Sequence, residues 1–415
     1  MAVGTNLTHK LSELSFTFSI ARRYLFSKKS HNAINVISGI SATGVAIGTL
    51  ALVVVLSVFN GFESLVTDMF SNFDPDLRIS LVQGKSFENN TAQFEQVKKL
   101  AGIAVYTEVI EENALIRFKD KQLPATIKGV SENFATLTNI NSILYDGKFE
   151  LYDGAFERAV VGIGVASKVG LGAHFIDPLY IYAPKRGNKI NLLRPENSFN
   201  QSACFVSGIF SVQQAQYDDN YVLISLKHAR ELFDYKANTV TAIEIKLINQ
   251  KDKETSKNQI SNILGTNYKV LDSYEQQASF FNIMKIEKWI TFLILCFILM
   301  IASFNIIGSL SMLIIDKKSD IQTLKSLGAN NQLIKRIFLF EGWMISALGA
   351  GIGIIIGTTL SLLQEKLGIL KLGTGYIVDS YPVATNMSDI LYILLAVLGM
   401  GFFAALYPVK YIRTK

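Results

Sequence analysis

The sequence predicts a membrane protein with four transmembrane α-helices and a large α+β domain inserted between the first helix and the second. The mean hydropathy is +0.29, and 49% of the 415 residues are hydrophobic while only 18% are charged. An ordinary soluble enzyme of this length is less apolar and carries more charge. The apolar residues are also concentrated in four windows, with a long polar segment between the first two.

The four windows contain no Asp, Glu, Lys or Arg and cover residues 32–62, 289–315, 342–364 and 390–409. A hydrocarbon core of about 30 Å needs roughly 20 helical residues, so each window is long enough to cross a membrane. A helix buried in a soluble core is more often shorter and interrupted by a charge. We therefore expect transmembrane helices at 34–62, 273–315, 337–364 and 390–409, the second of which includes an extracytoplasmic stalk.

The net charge of +6 is distributed unevenly, and its distribution predicts the orientation of the chain in the membrane. By the positive-inside rule, the N-terminal segment 1–33, an elbow at 316–336 and the tail 410–415 are cytoplasmic, whereas 63–272 and the loop 365–389 face the other side. The excess of cations is therefore an orientation signal and gives no support to a nucleic-acid partner. The cations that carry this signal are Arg22, Arg23, Lys28, Lys29, Lys317, Lys318, Lys325, Lys335, Arg336, Lys410, Arg413 and Lys415.

The N-terminal segment contains an amphipathic helix, expected over residues 14–26, that suits a membrane surface. A soluble helix is the alternative. The first window is too long and lies too far into the chain for a cleaved signal peptide, so we expect it to be retained as an anchor.

The segment 63–272 alternates strand-like and helical patterns, which predicts one mixed α+β domain or two small ones that share strands. Strands are expected at 77–82, 114–118, 125–130, 159–161, 179–182, 204–210, 222–225, 240–247 and 268–271. Helices are expected at 91–100, 165–170, 226–233 and 254–264.

One stretch of this domain, residues 183–200, is punctuated by Pro184, Gly187 and Pro195 and cannot be a regular core strand. Long loops in compact domains are often functional, and an apolar tip surrounded by cations is unusual for a solvated loop. A protruding hairpin that binds a partner is therefore predicted, with an ordinary solvated loop as the alternative. The residues concerned are Lys185, Arg186, Lys189, Ile190, Leu192, Leu193 and Arg194.

Two further helices are predicted from their start signals. Ser273 and Gln276 are spaced as a capping box and predict a stalk helix that continues into the second window. Ser319 and Gln322 have the same spacing in the charged elbow, where Gly328 suits the helix end. The elbow helix places Ile321, Leu324 and Leu327 on one face, which suits either a docking partner or a lipid surface.

Glycines recur, in part with a spacing of four residues, at Gly349, Gly353 and Gly357 in the third window, with Gly351 between them, and at Gly39, Gly44 and Gly48 in the first. This spacing allows helices to approach closely. Packing within one chain and dimerisation explain it equally well.

Catalytic chemistry finds no support in the sequence. The four His are isolated, no HExxH, GxSxG or CxxC motif is present, and the two Cys lie in different predicted compartments. The sequence Gly84–Lys85–Ser86 lacks the upstream glycine of a P-loop. We expect no catalytic residue, no metal site and no cofactor in this chain, so that any ATP with its Mg²⁺ binds to a partner.

The order of parts resembles the FtsX/MacB-like permeases, in which a MacB-like core domain lies between the first two membrane helices. Within that group the chain is most similar to the lipoprotein-releasing permeases of the LolC/LolE family. The motifs that carry the resemblance are Ala21–Leu25, Ile37–Ser38 with Gly48, Val55–Glu63, Gly208–Phe210, Phe304–Ile306 with Ser309–Leu310, Asp316–Ile321 with Leu327–Ala329, and Leu406–Pro408.

The resemblance implies a location in the bacterial inner membrane and a complex of several partners. These are a cytoplasmic ABC ATPase dimer, a second permease that is either an identical chain or a paralogue, membrane lipoproteins, and a periplasmic lipoprotein carrier held by the hairpin. It also implies two further sets of site residues. The ATPase-coupling set is Asp320, Ile321, Leu324, Lys325, Leu327 and Gly328, and the substrate-entry or dimer set is Val55, Val58, Phe59, Phe62, Phe304 and Ile307.

Three other functions compete with lipoprotein release. A MacB-like permease that transmits mechanical movement in drug or toxin efflux would use a periplasmic adaptor instead of a carrier. An FtsX-like regulator of cell-wall hydrolases would have a smaller inserted domain. A membrane-anchored receptor would not need three further helices.

Overall fold

The computed structural model describes residues 17–23, 32–186, 198–373, 378 and 380–410, with the backbone alone at 32–35. These residues form two compact units. The membrane unit comprises Met1–Ser64 and Asn282–Lys415, and the inserted unit comprises Leu65–Phe281. The chain passes from one to the other within two long helices.

The helices are numbered in their order along the chain. They are α1 (17–23), α2 (Asn32–Ser71), α3 (Ala92–Lys98), α4 (Phe134–Leu137), α5 (Ile163–Val169), α6 (Ala215–Asp218), α7 (Leu226–Leu232), α8 (Lys253–Leu264), α9 (Ser273–Gln276), α10 (Ala278–Asp316), α11 (Lys318–Ser326), α12 (Asn331–Leu367) and α13 (Met387–Lys410). Among the described residues, α2, α10, α12 and α13 are long and apolar enough to cross a membrane. The predicted four-helix membrane architecture is thus confirmed.

The strands of the described residues all belong to the inserted unit. They are β1 (Leu77–Leu81), β2 (Phe87–Glu88), β3 (Ile103–Phe118), β4 (Lys121–Val130), β5 (Leu144–Gly147), β6 (Arg158–Gly162), β7 (Leu179–Pro184), β8 (Phe199–Phe210), β9 (Tyr221–Ser225), β10 (Thr239–Val240), β11 (Ala242–Leu247) and β12 (Tyr268–Asp272). Ten of them form one sheet, and β2 pairs with β10 in a separate ribbon.

Six strands of the large sheet close into a ring in the order β3, β4, β9, β6, β8, β7 and back to β3. Alternate residues such as Ile116 and Phe118 on β3, or Leu179 and Ile181 on β7, are buried in one core cluster. Helices α5 and α7 pack on the same cluster through Val165 and Ala229, among others. The period of two along each strand therefore separates a core-facing set from an outward-facing set.

A second core lies on the remaining strands, where β12, β1, β11 and the first half of β3 pair in that order. Helices α3 and α8 cover these strands and contribute Phe94, Val97, Ile260 and Leu264 to the cluster. The long strand β3 belongs to both cores. The expected mixed α+β domain with shared strands is therefore present.

The start signals predicted for two helices were misplaced. Before α9, Asp272 and Glu275 form the capping box in place of Ser273 and Gln276. The stalk helix also does not run unbroken from that point, because α9 ends and α10 begins on either side of Gln277. Likewise α11 begins after Lys317, which makes no side-chain cap.

The transmembrane helices extend beyond the charge-free windows, because charged residues are accommodated within their ends. Helix α2 continues to Ser71, and α10 includes Lys285, Glu287 and Lys288 without a break. Helix α12 begins at Asn331 and is capped by the residue before it, because Asn330 Oδ1 accepts a hydrogen bond from the N–H of Leu333 at 2.7 Å.

The glycines of α12 pack against α2 within the same chain. A Cβ on Gly349 would lie 2.7 Å from the carbonyl oxygen of Ala42, and a Cβ on Gly353 would lie 2.5 Å from that of Ala46. Contacts this short leave no room for a side chain. Packing inside one chain therefore accounts for this part of the glycine pattern.

Candidate functional site

The elbow helix α11 is tied to the membrane unit through one residue of its apolar stripe. Ile321 is buried in the same cluster as Leu313 of α10 and Ile334 of α12. Leu324 is half-buried and Leu327 is 80% exposed. The apolar stripe predicted for docking therefore has two environments. Its N-terminal end, at Ile321, packs in the helix bundle, and its C-terminal end, at Leu327, is exposed.

The ends of the elbow are defined by local interactions. Lys317 lies 3.8 Å from the carboxylates of both Asp316 and Asp320, the latter in the first turn of α11. At the other end Gly328 adopts a φ of +93°, and its N–H donates to the carbonyl of Lys325 at 2.9 Å. A left-handed residue at this position suits glycine and turns the chain towards α12. Four residues of the predicted coupling set therefore lie on α11, and Leu327 and Gly328 directly follow its last residue.

The arms of the predicted hairpin are β7 and β8, which pair in antiparallel register from Leu179 with Cys204 to Pro184 with Phe199. The pairing continues as the N–H of Lys185 donates to the carbonyl of Ser198 at 2.9 Å. The hairpin's remaining predicted site residues, Lys189, Ile190, Leu192, Leu193 and Arg194, lie outside the residues that the structure describes.

Both arms of the hairpin are anchored to the rest of the inserted unit close to the Lys185–Ser198 pair, where the described part of the hairpin ends. The guanidinium of Arg186 stacks on the ring of Tyr235 at 3.4 Å and pairs with Glu112 at 3.0 Å. On the other arm, the side-chain amide of Asn200 donates to Asp234 at 2.7 Å. Arg186 was predicted to bind the carrier, and its described contacts are with β3 and with the segment after α7.

A buried histidine supports the same arm from α7. His228 is 3% exposed, and its Nε2 lies 2.6 Å from the hydroxyl of Ser202 on β8. Its Nδ1 is 3.5 Å from Glu157, a distance too long for a hydrogen bond of ordinary strength. Burial lowers the pKa of His228, and attraction to Glu157 and Glu231 opposes that shift. The imidazole is therefore held neutral at pH 7.

The predicted substrate-entry or dimer residues occupy two helices of the membrane unit. Val55, Val58 and Phe59 on α2 are half-buried, whereas Phe304 on α10 is 62% exposed. Ile307 is half-buried against the core cluster of the bundle. In the chain as described, α10 thus presents accessible apolar surface to lipid, cargo or another subunit.

Phe62, the last member of that set, packs within the chain. Its ring meets that of Tyr381 edge-on at 5.5 Å between centroids. A Cβ on the neighbouring Gly61 would lie 2.4 Å from the backbone of Pro382, and the N–H of Ala384 donates to the carbonyl of Ser57 at 2.9 Å. The segment before α13 therefore lies directly on this turn of α2.

Sequence reasoning missed a polar cluster that joins three membrane helices. Lys288 of α10 donates to Asn60 of α2 at 2.7 Å and to Asp389 of α13 at 2.9 Å. The amide of Asn60 also donates to Asp389 at 2.8 Å. We call these three residues the helix lock. Lys288 and Asp389 each lie one residue outside a charge-free window. Only helix bounds that extend past the windows could have placed both residues on membrane helices.

The windows also missed Glu341, which lies one residue before the third window. It lies inside α12 with no exposed surface, and neither carboxylate oxygen has a hydrogen-bond partner among the described residues. The neighbouring Phe338 and Ile345 belong to the core cluster of the bundle. Burying an ionisable side chain inside a membrane helix costs free energy, so a residue of this kind usually has a functional role.

In the inserted unit, titratable residues are buried as an interconnected group. Lys128 pairs with Glu244 at 2.9 Å, and both side chains are almost completely buried. Burial tends to raise the pKa of the neighbouring Glu111, but attraction to Arg78 and Lys128 prevails and lowers it to about 2. Glu111 is therefore ionised, and the group is a permanent network of charges.

The cysteines offer no reactive thiol in the inserted unit. Cys204 is fully buried, and burial raises the pKa of its thiol to about 12. A thiol with such a pKa is not a nucleophile at neutral pH.

Two protein-family models match different parts of the chain. Residues 292–415 match the family model of the FtsX-like permease C-terminal, which covers α11, α12, α13 and most of α10. Residues 38–263 match the model of the MacB-like periplasmic core domain. The membrane helices from α10 onward are thus similar to the C-terminal part of FtsX-like permeases.

The match to the MacB-like periplasmic core domain spans more than half of the chain, so the chain belongs to that family. It is a multipass protein of the inner membrane, and its inserted unit is periplasmic. Sequence motifs had indicated this architecture, and the family models confirm it.

Curated relatives are similar over nearly the full length. The chain is 27% identical to the lipoprotein-releasing system transmembrane protein LolC of Buchnera aphidicola subsp. Schizaphis graminum, over 94% of this chain and 95% of that protein. It is 25% identical to LolC of Neisseria meningitidis serogroup B, over 94% of each chain. It is 26% identical to LolE of Haemophilus influenzae, over 94% of this chain and 95% of that one. The resemblance to the lipoprotein-releasing permeases is confirmed.

Proposed function

We propose that this chain is the permease subunit of an ABC transporter that releases lipoproteins from the inner membrane to a periplasmic carrier. The observation that carries the proposal is the full-length similarity to LolC and LolE proteins, which includes the periplasmic unit as well as the membrane helices. MacB-like and FtsX-like models each match only one part of the chain.

In this proposal the chain is not catalytic. ATP and Mg²⁺ bind to a cytoplasmic ATPase dimer, which docks on α11 through the exposed end of its apolar stripe. Leu324 and Leu327 would enter the ATPase surface, while Ile321 stays in the bundle and passes the movement to α10 and α12. The buried contacts of Ile321 support this division of roles.

The orientation proposed for the chain has both termini in the cytoplasm. The periplasmic location of the inserted unit requires α2 and α10 to cross the membrane in opposite directions, and α12 and α13 then return the C-terminus to the side of α11. The cations before α2, around α11 and after α13 agree with that orientation.

The second permease, an identical chain or a paralogue, would meet this one along α2 and α10. Phe304 is the most exposed member of the proposed contact set, and it lies on the helix with the most accessible apolar surface. Lipoprotein acyl chains would enter between the same helices from the outer leaflet. The carrier would be held by the hairpin between β7 and β8.

Affinity purification of the tagged permease in mild detergent, followed by mass spectrometry, tests the proposal. Co-purification of an ABC ATPase and a periplasmic lipoprotein carrier is expected. An adaptor with an outer-membrane channel would instead indicate efflux, and a cell-wall hydrolase would indicate a division role. A parallel depletion experiment in cells is expected to leave lipoproteins in the inner membrane, and normal lipoprotein sorting would contradict the proposal.

A further inference from the structure

The periplasmic unit begins and ends at neighbouring points. The chain enters it through the last turns of α2, which end at Ser71, and leaves it through α9 and the first turn of α10. At the entry, Asp74 follows α2 with its N–H bonded to the carbonyl of Phe70 at 2.7 Å. At the exit, Gln277 is the single residue between α9 and α10.

These two residues are bonded to each other and to a third. The side-chain amide of Gln277 donates to Asp74 Oδ2 at 3.0 Å and to the hydroxyl of Tyr217 at 2.5 Å. The hydroxyl of Tyr217 in turn donates to Asp74 Oδ1 at 2.5 Å. Gln277 is 7% exposed and Tyr217 is 3% exposed, so solvent has little access to these bonds.

Aromatic packing reinforces the same junction. Phe70, in the last turn of α2, meets Phe280 of α10 at 5.5 Å and Tyr217 at 6.0 Å between ring centroids. Phe73 lies 4.6 Å from Tyr217 and 5.5 Å from Phe210 on β8, and its ring faces the ammonium of Lys128 at 4.9 Å. The ends of both helices are therefore joined to the sheet as well as to each other.

Tyr217 is itself held in a fixed position. It lies on the single turn α6, and the next residue, Asp218, accepts hydrogen bonds from the N–H of Val212 at 2.7 Å and of Gln213 at 2.9 Å. Gln213 has a φ of +59°, a conformation that a residue with a side chain adopts only where its surroundings enforce it. The loop before α6 is thus constrained around the carboxylate of Asp218.

The buried carboxyl group of Asp74 at the centre of this junction carries a desolvation cost. Burial raises the pKa of Asp74, and the hydrogen bonds from Tyr217 and Gln277 and attraction to Lys128 oppose that rise. A hydrophobic residue at this position would avoid the desolvation penalty, so stability alone does not account for a carboxylate here. Directional bonds to two donors do fix the geometry between chain segments.

We propose that Asp74, Tyr217 and Gln277 form a stalk clamp that makes the entry through α2 and the exit through α10 move as one with the periplasmic sheet. This inference rests on the proposed function, in which ATP hydrolysis in the cytoplasm drives events in the periplasm. Without the clamp, a displacement of either helix would be absorbed at the breaks after Ser71 and at Gln277. The three side chains are positioning residues and touch no cargo.

The test uses Tyr217→Phe in the full chain, assembled with its ATPase in proteoliposomes. This variant retains the ring packing on Phe70 and Phe73 and removes both hydroxyl bonds. Tyr152→Phe is the matched control, because the hydroxyl of Tyr152 bonds only to the carbonyl of Gly154 on an exposed turn. We expect lipoprotein released per ATP hydrolysed to fall roughly five- to tenfold in Tyr217→Phe and to be unchanged in the control, because the loss of two hydrogen bonds commonly lowers an equilibrium constant by at least about fivefold.

A second measurement reports the clamp without reference to cargo. Spin labels at Asp68→Cys and Ser279→Cys, two exposed positions on α2 and α10, give the distance distribution between the helix ends in a Cys296→Ser background. A narrow distribution is expected for the wild-type clamp and a broader one for Tyr217→Phe. A folded Tyr217→Phe variant with an unchanged distribution and unchanged release per ATP would overturn the proposal.

The two measurements also separate the clamp from the proposed function. If the wild-type assembly hydrolyses ATP and releases no lipoprotein, while the labels still respond to Tyr217→Phe, the proposed function is wrong and the clamp stands.

A double exchange, Asp74→Asn with Gln277→Glu, reverses donor and acceptor across the junction. We expect it to restore a narrow distribution that each single change broadens, and failure to do so would count against a bond between these two residues.

Discussion

At the scale of single residues, the chain places its polar groups where they join segments distant in sequence. His228 illustrates this, because its imidazole bonds to Ser202 on the hairpin arm from α7, a helix whose Leu226 and Ala229 pack in the core of the ring of strands. Isolation along the sequence had indicated no role for it. Only the folded chain brings Ser202, Glu157 and His228 together.

The lowered pKa of His228 predicts a pH dependence for this contact. Since the folded state favours the neutral imidazole, its stabilising contribution is present above the unfolded value of 6.5 and is lost as the pH falls below that value. We expect hydrogen exchange of residues 226–233 in the full chain to rise more between about pH 7.5 and 5.5 in the wild type than in His228→Gln. Equal changes in both proteins, after correction for intrinsic exchange, would assign the effect to other groups.

The helix lock predicts coupled effects of mutation. Lys288→Met leaves Asp389 without its cation in a half-buried site, and Asp389→Leu does the same to Lys288, so each is expected to lower the free energy of unfolding by about 1–3 kcal/mol. The double variant should cost less than the sum of the two. Thermal unfolding in detergent, followed by the fluorescence of the neighbouring Trp289, measures all three, and strictly additive effects would show that the pair does not interact.

At the scale of elements, glycines determine how closely α12 approaches α2. Gly353→Ala places a methyl group 2.5 Å from a backbone oxygen of α2, and we expect a loss of about 1–3 kcal/mol in the free energy of unfolding. Gly351→Ala is the matched control, since a Cβ there meets nothing within 4 Å. It should be neutral or stabilise the helix by up to about 1 kcal/mol. Equal stability of the two variants in thermal unfolding would contradict close packing at Gly353.

The elbow α11 is the element on which coupling to the ATPase is proposed to depend. Leu324→Glu is expected to lower lipoprotein release per ATP about tenfold, because a charge in an apolar contact opposes docking. Asp320→Lys is expected to act in the same direction, because it replaces the acidic residue beside Lys317 in the first turn of α11 with a third neighbouring cation. Gln322→Glu adds a charge to an exposed position of the same helix and should have little effect. Measurement in proteoliposomes with the ATPase tests this, and normal release by a stably expressed Leu324→Glu variant would place docking elsewhere.

At the scale of the whole molecule, coupling and carrier capture are assigned to different units of the chain, which predicts that they can be separated. Deletion of residues 189–193 removes the apolar centre of the hairpin beyond the arms anchored by Arg186 and Asn200. We expect loss of carrier binding in pull-down experiments, with ATPase stimulation unchanged. A shuffled 189–193 segment of the same composition is the control for loop length. Undiminished carrier capture by the deletion variant would remove the hairpin from the proposed mechanism.

Much of the architecture could be predicted from the sequence because it depends on local properties. Charge-free windows of sufficient length identify membrane helices, and the distribution of Lys and Arg indicates their orientation. Hydrophobic periods of two and about 3.6 residues identified most strands and helices of the periplasmic unit. Helix starts were predicted less well. At α9 the side chains of Asp272 and Glu275 bond to each other's backbone, whereas the spacing of Ser273 and Gln276 fits the same motif.

The sequence by itself determined the class of protein, its membrane helices and the composition of its elbow and hairpin, since hydropathy and charge act over a few residues. Only the tertiary structure decided which polar groups meet. The helix lock joins residues 60, 288 and 389, and the stalk clamp joins residues 74, 217 and 277. Contacts across such separations depend on how sheets and helices pack, and no local pattern in one sequence encodes them.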